Sequence, residues 1–327
     1  MVIVEQYTRD RRHEWNVFLD GAKNSTFLFH RDYMDYHADR FDDHSLMIYE
    51  DGKLQALLPA NLRNDGVLVS HGGLTYGGFV FRRNVHLVSA LKLVRFALAY
   101  LQGEGIFLLK YKALPSFYRT TPSEEVDYAL FLLGARLYRR DATLTIDLHN
   151  MRPFAKGRKY EISKARRAGI VVEETRDFGA FWSEALVPNL MEQHGLVPVH
   201  TVKEISLLAS RFPYNIRQFC AYSDGALAAG VTMYETEDVA HSQYIGLNDA
   251  ARRTGALSFL MAHLILEVYT DKRYFDIGVS TEKGGRWLNA GLVAWKEGLR
   301  GTCFCHDFYE IDTNCYGSID AVIGTDQ

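Results

Sequence analysis

The sequence predicts a mixed α/β fold in which two similar units follow each other along the chain. Three observations support this prediction. The chain has 327 residues, which is long for one domain and typical of two. The stretch Tyr49–Leu54 (YEDGKL) recurs as Tyr222–Leu227 (YSDGAL). The same order of predicted elements, hairpin, strand, helix and strand, accompanies each copy.

Each copy opens with a predicted β-hairpin. Asp51-Gly52 and Asp224-Gly225 stand between apolar runs, where an Asp-Gly pair is a strong hairpin signal. The copies lie 173 positions apart (222 minus 49), and at that distance Gly73 falls on Gly246. We therefore expect these two glycines to occupy matching places. A further strand is predicted in each copy, at Val67–Ser70 and Ala240–Ile245.

A helix and a short strand complete each copy. Apolar residues recur at helical spacing in both, which indicates one buried stripe on each helix. The stripes are Leu87, Leu91, Val94, Leu98 and Leu101 in the first copy and Leu257, Leu260, Met261, Leu264, Ile265 and Val268 in the second. The short strands are expected at Ile106–Leu109 and Tyr274–Ile277.

The stretch between the copies predicts a strand at Leu144–Leu148, a basic helix from about Pro153 to Ala168 and a strand at Ile170–Glu174. Gly169 is the expected C-cap of that helix. Because no linker rich in Pro or Ser separates the copies, we expect two units packed around a shared cleft. Their predicted bounds are 1–142 and 143–311, and 312–327 is a tail of unclear order.

Composition excludes several classes of function. The formal net charge is −3, so no global basic field attracts DNA or anionic lipid. The chain shows neither a signal peptide nor an integral membrane segment, and a cytoplasmic location is expected. Cys303-Phe304-Cys305-His306 resembles a metal-binding fragment, but its alternation indicates a strand and no second ligand pair exists. No metal site is predicted.

Four stretches together resemble the GNAT acyltransferases, and in particular their Fem-type branch, in which two such units are fused. The stretches are RKYEISKARRAGIVVEE, GGLTYGGFVF, GLNDAARRTGALSFLM and FDIGVSTEKGGRWLNAGLVAWKEGLRG. The resemblance implies transfer of an acyl or aminoacyl group to an acceptor amine, with acyl-CoA or aminoacyl-tRNA as donor and no permanently bound cofactor. Synthesis of cell-envelope or polysaccharide precursors is one setting that it implies.

The resemblance places a donor-phosphate loop at Arg252, Arg253, Thr254, Gly255 and Ala256. Free backbone N–H groups at a helix N-terminus suit a pyrophosphate, and Gly255 would permit its close approach. Leu257 departs from the pattern, because that position normally carries Gly or Ala. An ordinary polar loop that begins a core helix is the alternative.

The resemblance also places catalysis and acyl binding in the second unit. Lys296 falls on the lysine of the family's Phe-Lys-x-Gly segment, and Trp295 replaces the Phe. Its ammonium could stabilise an oxyanion, hold a phosphate or simply be solvated. Gln243 or Tyr244 could contact the acyl group. Asp276 and Glu235 are candidates for a general base by position only.

The acceptor is expected in the first unit. Tyr76 and Gly77 lie in the family's Tyr-Gly-Gly segment, where glycines let backbone approach a ligand, although a tight turn explains them equally well. His30 and Arg31 fall on an early segment that the resemblance assigns to the acceptor. A catalytically inactive ligand-binding or scaffolding relative is the alternative function. The choice of donor, with tRNA as a partner in one case, and the oligomeric state stay open.

Overall fold

The computed structural model describes residues 1–324, apart from the side chain of His194. The chain divides into two compact units, one of residues 1–140 with the segment from 305 onward and one of residues 141–304. The sequence placed the boundary at 142 and began a tail at 312. Residues 305 onward join the first unit because Phe308–Asp312 pair antiparallel with Leu108–Lys112. Helix Gly317–Ile323 follows within the segment that was expected to be a tail.

The first unit contains an antiparallel sheet of four strands in the order Val2–Gln6, Leu46–Glu50, Lys53–Leu58 and Val80–Phe81. Helix Leu87–Gly103 contributes Leu91, Val94, Leu98 and Leu101 to its buried core, as predicted, whereas Leu87 is exposed. The other strands are Asp42–Asp43, Asn61–Leu62, Leu68–Val69 and Leu108–Lys112. The other α-helices are Arg12–Asp20, Arg31–Met34, Glu125–Leu132 and Gly317–Ile323.

The second unit has four antiparallel strands in the order Val171–Thr175, Ile216–Ser223, Ala226–Glu235 and Val239–Leu247. The last of these pairs in parallel with Tyr274–Val279, which pairs antiparallel with the end of strand Arg136–Asp147. The α-helices are Lys156–Arg167, Gly179–Phe181, Val187–His194, Val202–Arg211, Asp249–Thr254, Ala256–His263 and Ala290–Gly298. π-helical turns at Trp182–Leu186 and Leu264–Val268 complete two of these helices, and strand Thr302–Asp312 follows the last one. The predicted basic helix and the strand after it are confirmed to within three residues, whereas the strand before it begins at Arg136, eight residues earlier than predicted.

The two predicted hairpins are the same structure built twice. Asp51, Gly52, Asp224 and Gly225 all have positive φ, as a two-residue turn of type I′ requires. In the first hairpin Ile48 pairs with Ala56 and Tyr49 with Leu54, so Gln55 is an extra, bulged residue. In the second, Ala221 pairs with Ala229 and Tyr222 with Leu227, so Ala228 is the extra residue. Gln55 and Ala228 are 173 positions apart, and the repeat therefore extends to the position of the bulge.

The predicted match between Gly73 and Gly246 is wrong. Gly246 lies in a strand opposite Gly230, and a Cβ on Gly246 would lie 2.8 Å from the backbone of Leu186 in the π-helical turn. Gly73 lies in a turn, and a Cβ there would lie 2.6 Å from the His37 ring. The corresponding strand of the first unit is Val80–Phe81, because the predicted strand at Val67–Ser70 pairs with Leu108–Lys112 instead.

Candidate active site

Two neighbouring parallel strands of the second unit, Val239–Leu247 and Tyr274–Val279, pair over only three residues. The last pair is His241 with Asp276. Gln243 is an extra residue in its own strand, because Tyr244 pairs with Thr232 and Ser242 with Met233. The pairing of the other strand with Arg136–Asp147 is irregular between Asp276 and Val279, where Gly278 has φ +83°. Bulges bend strands, so these two irregularities explain why the strands separate after His241 and Asp276.

His241 and Asp276 form a hydrogen-bonded pair at the point of separation. Nδ1 of His241 lies 2.8 Å from Oδ2 of Asp276. Ala240, the residue before His241, belongs to the hydrophobic core, and strand alternation directs His241 to the opposite face. The side chain of His241 is 13% exposed and that of Asp276 is 4% exposed. A nearly buried carboxylate thus holds an imidazole that keeps access to solvent.

The second oxygen of Asp276 is fixed by three other donors. Thr143 Oγ1 donates to Oδ1 at 2.7 Å, Thr145 Oγ1 at 3.1 Å and the backbone N–H of Gly278 at 2.9 Å. Burial alone would raise the pKa of Asp276, but the charge and hydrogen bond of His241, with the bonds from Thr143 and Gly278, outweigh it. They lower this pKa to about 2. Asp276 is therefore ionised at neutral pH and accepts hydrogen bonds only.

This arrangement fixes the tautomer of His241. Because an ionised carboxylate cannot donate, Nδ1 must carry the proton that it shares with Asp276. The other ring nitrogen, Nε2, has no hydrogen-bond partner in the part of the chain that the structure describes. In the neutral ring Nε2 is a proton acceptor, and Asp276 stabilises the imidazolium that forms when it takes a proton. The pair can therefore act as a general base.

Lys296 is buried and is bound to the backbone just after Asp276. Its Nζ donates to the backbone oxygens of Gly278 at 2.7 Å and Val279 at 2.8 Å, and only 2% of the residue is exposed. Burial lowers the pKa of Lys296 to about 8, against the opposing effect of the Asp276 charge. Asn289 caps the helix that carries Lys296, and Trp295 packs half-buried against the core of the unit. Lys296 thus holds the carbonyl groups at the irregular end of strand Tyr274–Val279.

The other predicted residues of the strand occupy a compact polar cluster. The hydroxyl of Tyr244 lies 2.5 Å from Nδ1 of His200, and Trp182 Nε1 donates to the carbonyl of His200 at 3.0 Å. Burial raises the pKa of Tyr244 to about 12. The amide oxygen of Gln243 is buried and has no partner within residues 1–324. Gln243 is therefore the bulged residue of its strand, and its amide oxygen is able to accept a hydrogen bond.

The segment expected to form a phosphate loop is helical. Asp249–Thr254 is a short helix, and the N–H groups of Arg252 and Gly255 already donate to Asn248 and Ala251. Arg252 pairs with Glu192 at 3.2 Å, and the side chain of Thr254 donates to Ala250. Gly255 has φ +82° and precedes helix Ala256–His263, and a Cβ there would lie 2.8 Å from the carbonyl oxygen of Glu161. Gly255 permits two helices to pack closely, and Ala256 beside it is fully buried.

The glycines of the first unit also have a structural reason. A Cβ on Gly77 would lie 1.8 Å from the carbonyl oxygen of Ser70, and one on Gly78 would lie 2.4 Å from the hydroxyl of Tyr111. Tyr76 is buried, with its ring 4.6 Å from that of Tyr118. This segment approaches neighbouring protein rather than open space. These close contacts give Gly77 a structural reason, and acceptor binding at Tyr76 and Gly77 stays a prediction.

His30 and Arg31 lie at the start of a short helix in the first unit. Nδ1 of His30 accepts from the N–H of Asp32 at 3.2 Å and so caps this helix. Arg31 is buried, and its guanidinium lies over the ring of Tyr7 at 3.8 Å. His30 therefore has a local structural role, while Arg31 borders a cavity.

The sequence named Asp276 as a candidate base and did not name His241 as its partner. One signal was available, since His241 and Asp276 occupy the strands before and after the same predicted helix. Glu235, the other candidate, is occupied, because it accepts from Tyr269 Oη at 2.8 Å and from Arg217 at 3.2 Å. Residues 1–324 contain no cluster of His, Cys, Asp or Glu that could hold a metal ion. No helix in that range is long and apolar enough to cross a bilayer.

Comparisons with known proteins identify this architecture. Residues 154–296 match the family model described as an acetyltransferase (GNAT) domain. FemX superposes with a TM-score of 0.65 at 11% identity, over 93% of this chain and 96% of FemX. L-PGS from Bacillus licheniformis gives 0.61 at 12% identity, over 98% of each chain. A tandem GNAT protein from the clavulanic acid biosynthesis pathway gives 0.51 at 12% identity, over 96% of this chain and 99% of that one.

The comparison with curated proteins finds no match. The fold is nevertheless clear, since residues 154–296 match the GNAT-domain model and the structural neighbours extend over nearly the whole chain. The protein has a Fem-like GNAT fold of mixed α/β type, as the sequence predicted.

Proposed function

We propose that this protein is an acyltransferase that moves an acyl or aminoacyl group from an activated donor to an acceptor amine. The observation that carries the proposal is the His241–Asp276 pair at the point where two strands of the GNAT domain separate. The base at that point is accessible on one side, and the carboxylate that holds it accepts four hydrogen bonds, one of them from His241. Such fixed geometry supplies much of the rate of an enzyme that joins two substrates.

In the proposed reaction, the acceptor amine attacks the carbonyl carbon of the donor ester or thioester. Nε2 of His241 takes the proton that the amine nitrogen loses, and Asp276 stabilises the resulting imidazolium. The tetrahedral intermediate then expels the leaving group, a thiolate from acyl-CoA or a ribose hydroxyl from aminoacyl-tRNA. The imidazolium returns its proton to that group, and the products are an amide and the free thiol or alcohol.

Lys296 is proposed to position this centre. Its ammonium holds the Gly278 and Val279 carbonyls, and Gly278 in turn donates to Asp276. A Cβ on Gly278 would lie 3.7 Å from Cε1 of His241, so a shift of this bulge changes the surroundings of the base. Two of the three N–H groups of the Lys296 ammonium donate to these carbonyls. The third would make the predicted contact with an oxyanion.

The donor is proposed to bind through its phosphates. Arg252 and Arg253 are exposed on helix Asp249–Thr254, next to Thr254 and Ala256. Both candidate donors carry phosphate, and exposed guanidinium groups suit it. We propose Gln243 and Tyr244 as contacts of the acyl group, because both lie at the strand bulge, and Trp295 as a packing residue beside Lys296. A cytoplasmic location fits, because acyl-CoA and charged tRNA are made there.

The decisive experiment measures release of free thiol from acetyl-CoA, and of free tRNA from aminoacyl-tRNA, with a panel of amines. His241→Ala should lower the turnover number by roughly 10²–10⁴-fold, the usual contribution of a general base. His263→Ala is the matched control, since His263 forms an exposed pair with Glu267 at 3.0 Å.

Equal loss in both variants, or no loss in His241→Ala, would refute the role of the pair. If the wild type is stabilised thermally by a donor that it never consumes, the protein is a binding relative of the same fold and not an enzyme. If stabilisation follows acetyl-CoA and not charged tRNA, the donor is settled as acyl-CoA, and the reverse settles aminoacyl-tRNA.

A further inference from the structure

A cavity of about 360 Å³ lies in the first unit. It is lined by Tyr7, Thr8, Arg9, Arg31, Asp35, Ala38, Phe41, Asp42 and Asp43. We propose that this cavity binds a small zwitterion that carries both a carboxylate and an ammonium group, that is, a free α-amino acid or a close analogue. This proposal holds whether or not the second unit catalyses acyl transfer.

The side chain of Arg31 is held rigidly at this cavity. Only 3% of the residue is exposed, and the guanidinium lies 3.8 Å from the centre of the Tyr7 ring and 5.2 Å from that of Trp15. Nη2 donates to Asp35 at 2.6 Å and also to Asp43. The backbone N–H of Arg31 donates to Asn16 at 3.0 Å. Both the position and the orientation of the guanidinium are therefore fixed without a ligand.

Three donor groups at this cavity lack partners. Nε and Nη1 of Arg31 and the hydroxyl of Tyr7 are buried and form no hydrogen bond with any of residues 1–324. Buried polar groups in folded proteins are nearly always paired, because an unpaired donor forfeits its hydration without compensation. All three atoms belong to side chains that line one cavity. A carboxylate is the group that accepts several N–H and O–H bonds together and also pairs with guanidinium.

The charges at the cavity argue against a simple anion. Three carboxylates, those of Asp35, Asp42 and Asp43, line it with only two guanidinium groups, those of Arg9 and Arg31. A ligand with a negative charge alone would meet a surplus of negative charge. A ligand that adds an ammonium group compensates that surplus. A metal ion would satisfy the carboxylates, but it would leave the N–H groups of Arg31 and the hydroxyl of Tyr7 without acceptors.

The size of the cavity limits the ligand further. Sites for small molecules commonly span about 300–1,000 Å³, and this cavity lies at the lower end of that range. Acyl-CoA and tRNA are far larger than the space. An amino acid with a side chain of moderate size fits it, and Phe41 and Ala38 supply apolar lining for such a side chain.

The test is isothermal titration calorimetry on the full chain with glycine, L-alanine and L-lysine, and with acetate and ethylamine as single-charge probes. Tyr7→Phe keeps the ring under Arg31 and removes only the unpaired hydroxyl. Tyr49→Phe is the matched control, because Tyr49 is also buried and has Arg11 over its ring at 5.3 Å, but it does not line the cavity.

At least one amino acid should bind, and it should bind about tenfold or more tightly than acetate or ethylamine. Tyr7→Phe should weaken that binding by about tenfold, which corresponds to one lost hydrogen bond, and Tyr49→Phe should leave it unchanged. The proposal is overturned if no amino acid binds, if acetate binds as tightly, or if Tyr7→Phe binds like the wild type.

Discussion

The ammonium nitrogen of Lys296 lies 2.7 Å from the carbonyl oxygen of Gly278, inside the second unit. A bulge removes carbonyl groups from the regular strand pairing, and they then need another donor. Lys296 supplies that donor to Gly278 and Val279 together. The lysine that the resemblance associated with chemistry is therefore bound to the strand that carries Asp276, the partner of the proposed base.

Replacing Lys296 with Met should lower turnover by roughly 10²-fold with little change in KM. The methionine keeps the aliphatic volume but leaves two carbonyls without a donor, and a small displacement of a reacting group can cost a factor of this size. Steady-state kinetics would measure this loss, with whichever donor the thermal-stabilisation experiment selects. Lys159→Met, on an exposed helix position, is the control and should behave like the wild type.

The same variant should change how stability depends on pH. Burial lowers the pKa of Lys296 from 10.5 to about 8, so between these values the unfolded chain is protonated at this site and the folded chain is not. Stability then rises with pH. Between pH 8 and 10.5 the free energy of unfolding of the wild type should therefore increase relative to Lys296→Met. Parallel curves in urea unfolding would contradict the assignment.

Asp276 should make stability rise with pH as well, but in the acid range. Its folded pKa is about 2 against an ordinary 3.8, so its contribution is fully present above about pH 4 and is lost as pH falls toward 2. The difference corresponds to about 2 kcal/mol. The wild type should lose that much stability relative to Asp276→Asn between pH 4 and 2, measured by urea unfolding at each pH.

Gly255→Ala should destabilise the protein much more than Gly225→Ala. Both glycines have positive φ, so both alanines carry the strain of a left-handed residue. Only at Gly255 would the new Cβ meet another backbone, while at Gly225 nothing lies within 4 Å. We expect an extra cost of about 1–3 kcal/mol at Gly255. Equal melting temperatures would show that the helices can separate freely.

Gly77→Ala should disrupt the first unit, because the added methyl group would lie 1.8 Å from the carbonyl oxygen of Ser70. Gly157→Ala is its counterpart in an open helix position with nothing within 4 Å, where alanine should stabilise by roughly 0.5–1 kcal/mol. Circular dichroism melting would compare the two variants. A well-folded Gly77→Ala protein with ligand binding altered would return this glycine to the list of acceptor residues.

The features that the sequence predicted correctly depend on neighbouring residues. A type I′ turn needs only Asp51 and Gly52, and a buried helix stripe needs only its own spacing. The misplaced features depend on distant partners. Leu68–Val69 is a strand as expected, but its partner is the strand at 108–112, which no local pattern specifies. The packing of Gly255 against the carbonyl of Glu161, 94 residues earlier, is likewise not visible in the motif.

Only part of the proposed active site could be predicted, because the rest also depends on distant partners. Lys296 was found through the resemblance and Asp276 by its position, yet the pairing of Asp276 with His241 depends on strand register. Register follows from the whole sheet, and a shift by one residue would turn His241 into the core. The bulge at Gln243 has no sequence signature of its own. Arg31 was named, but its unpaired nitrogens could be recognised only in the folded chain.

The two bulges beside His241 and Asp276 have a consequence for protein engineering. A selection for heat resistance rewards regular strands, and deleting Gln243 or replacing Gly278 with a strand-forming residue would extend the pairing of the sheet. Such changes would extend strand pairing past His241 and Asp276 and remove the gap beside His241. Variants selected for heat resistance should therefore lose turnover when their melting temperature is raised by changes at these two positions. Stabilising changes in the two hairpin turns should leave turnover intact.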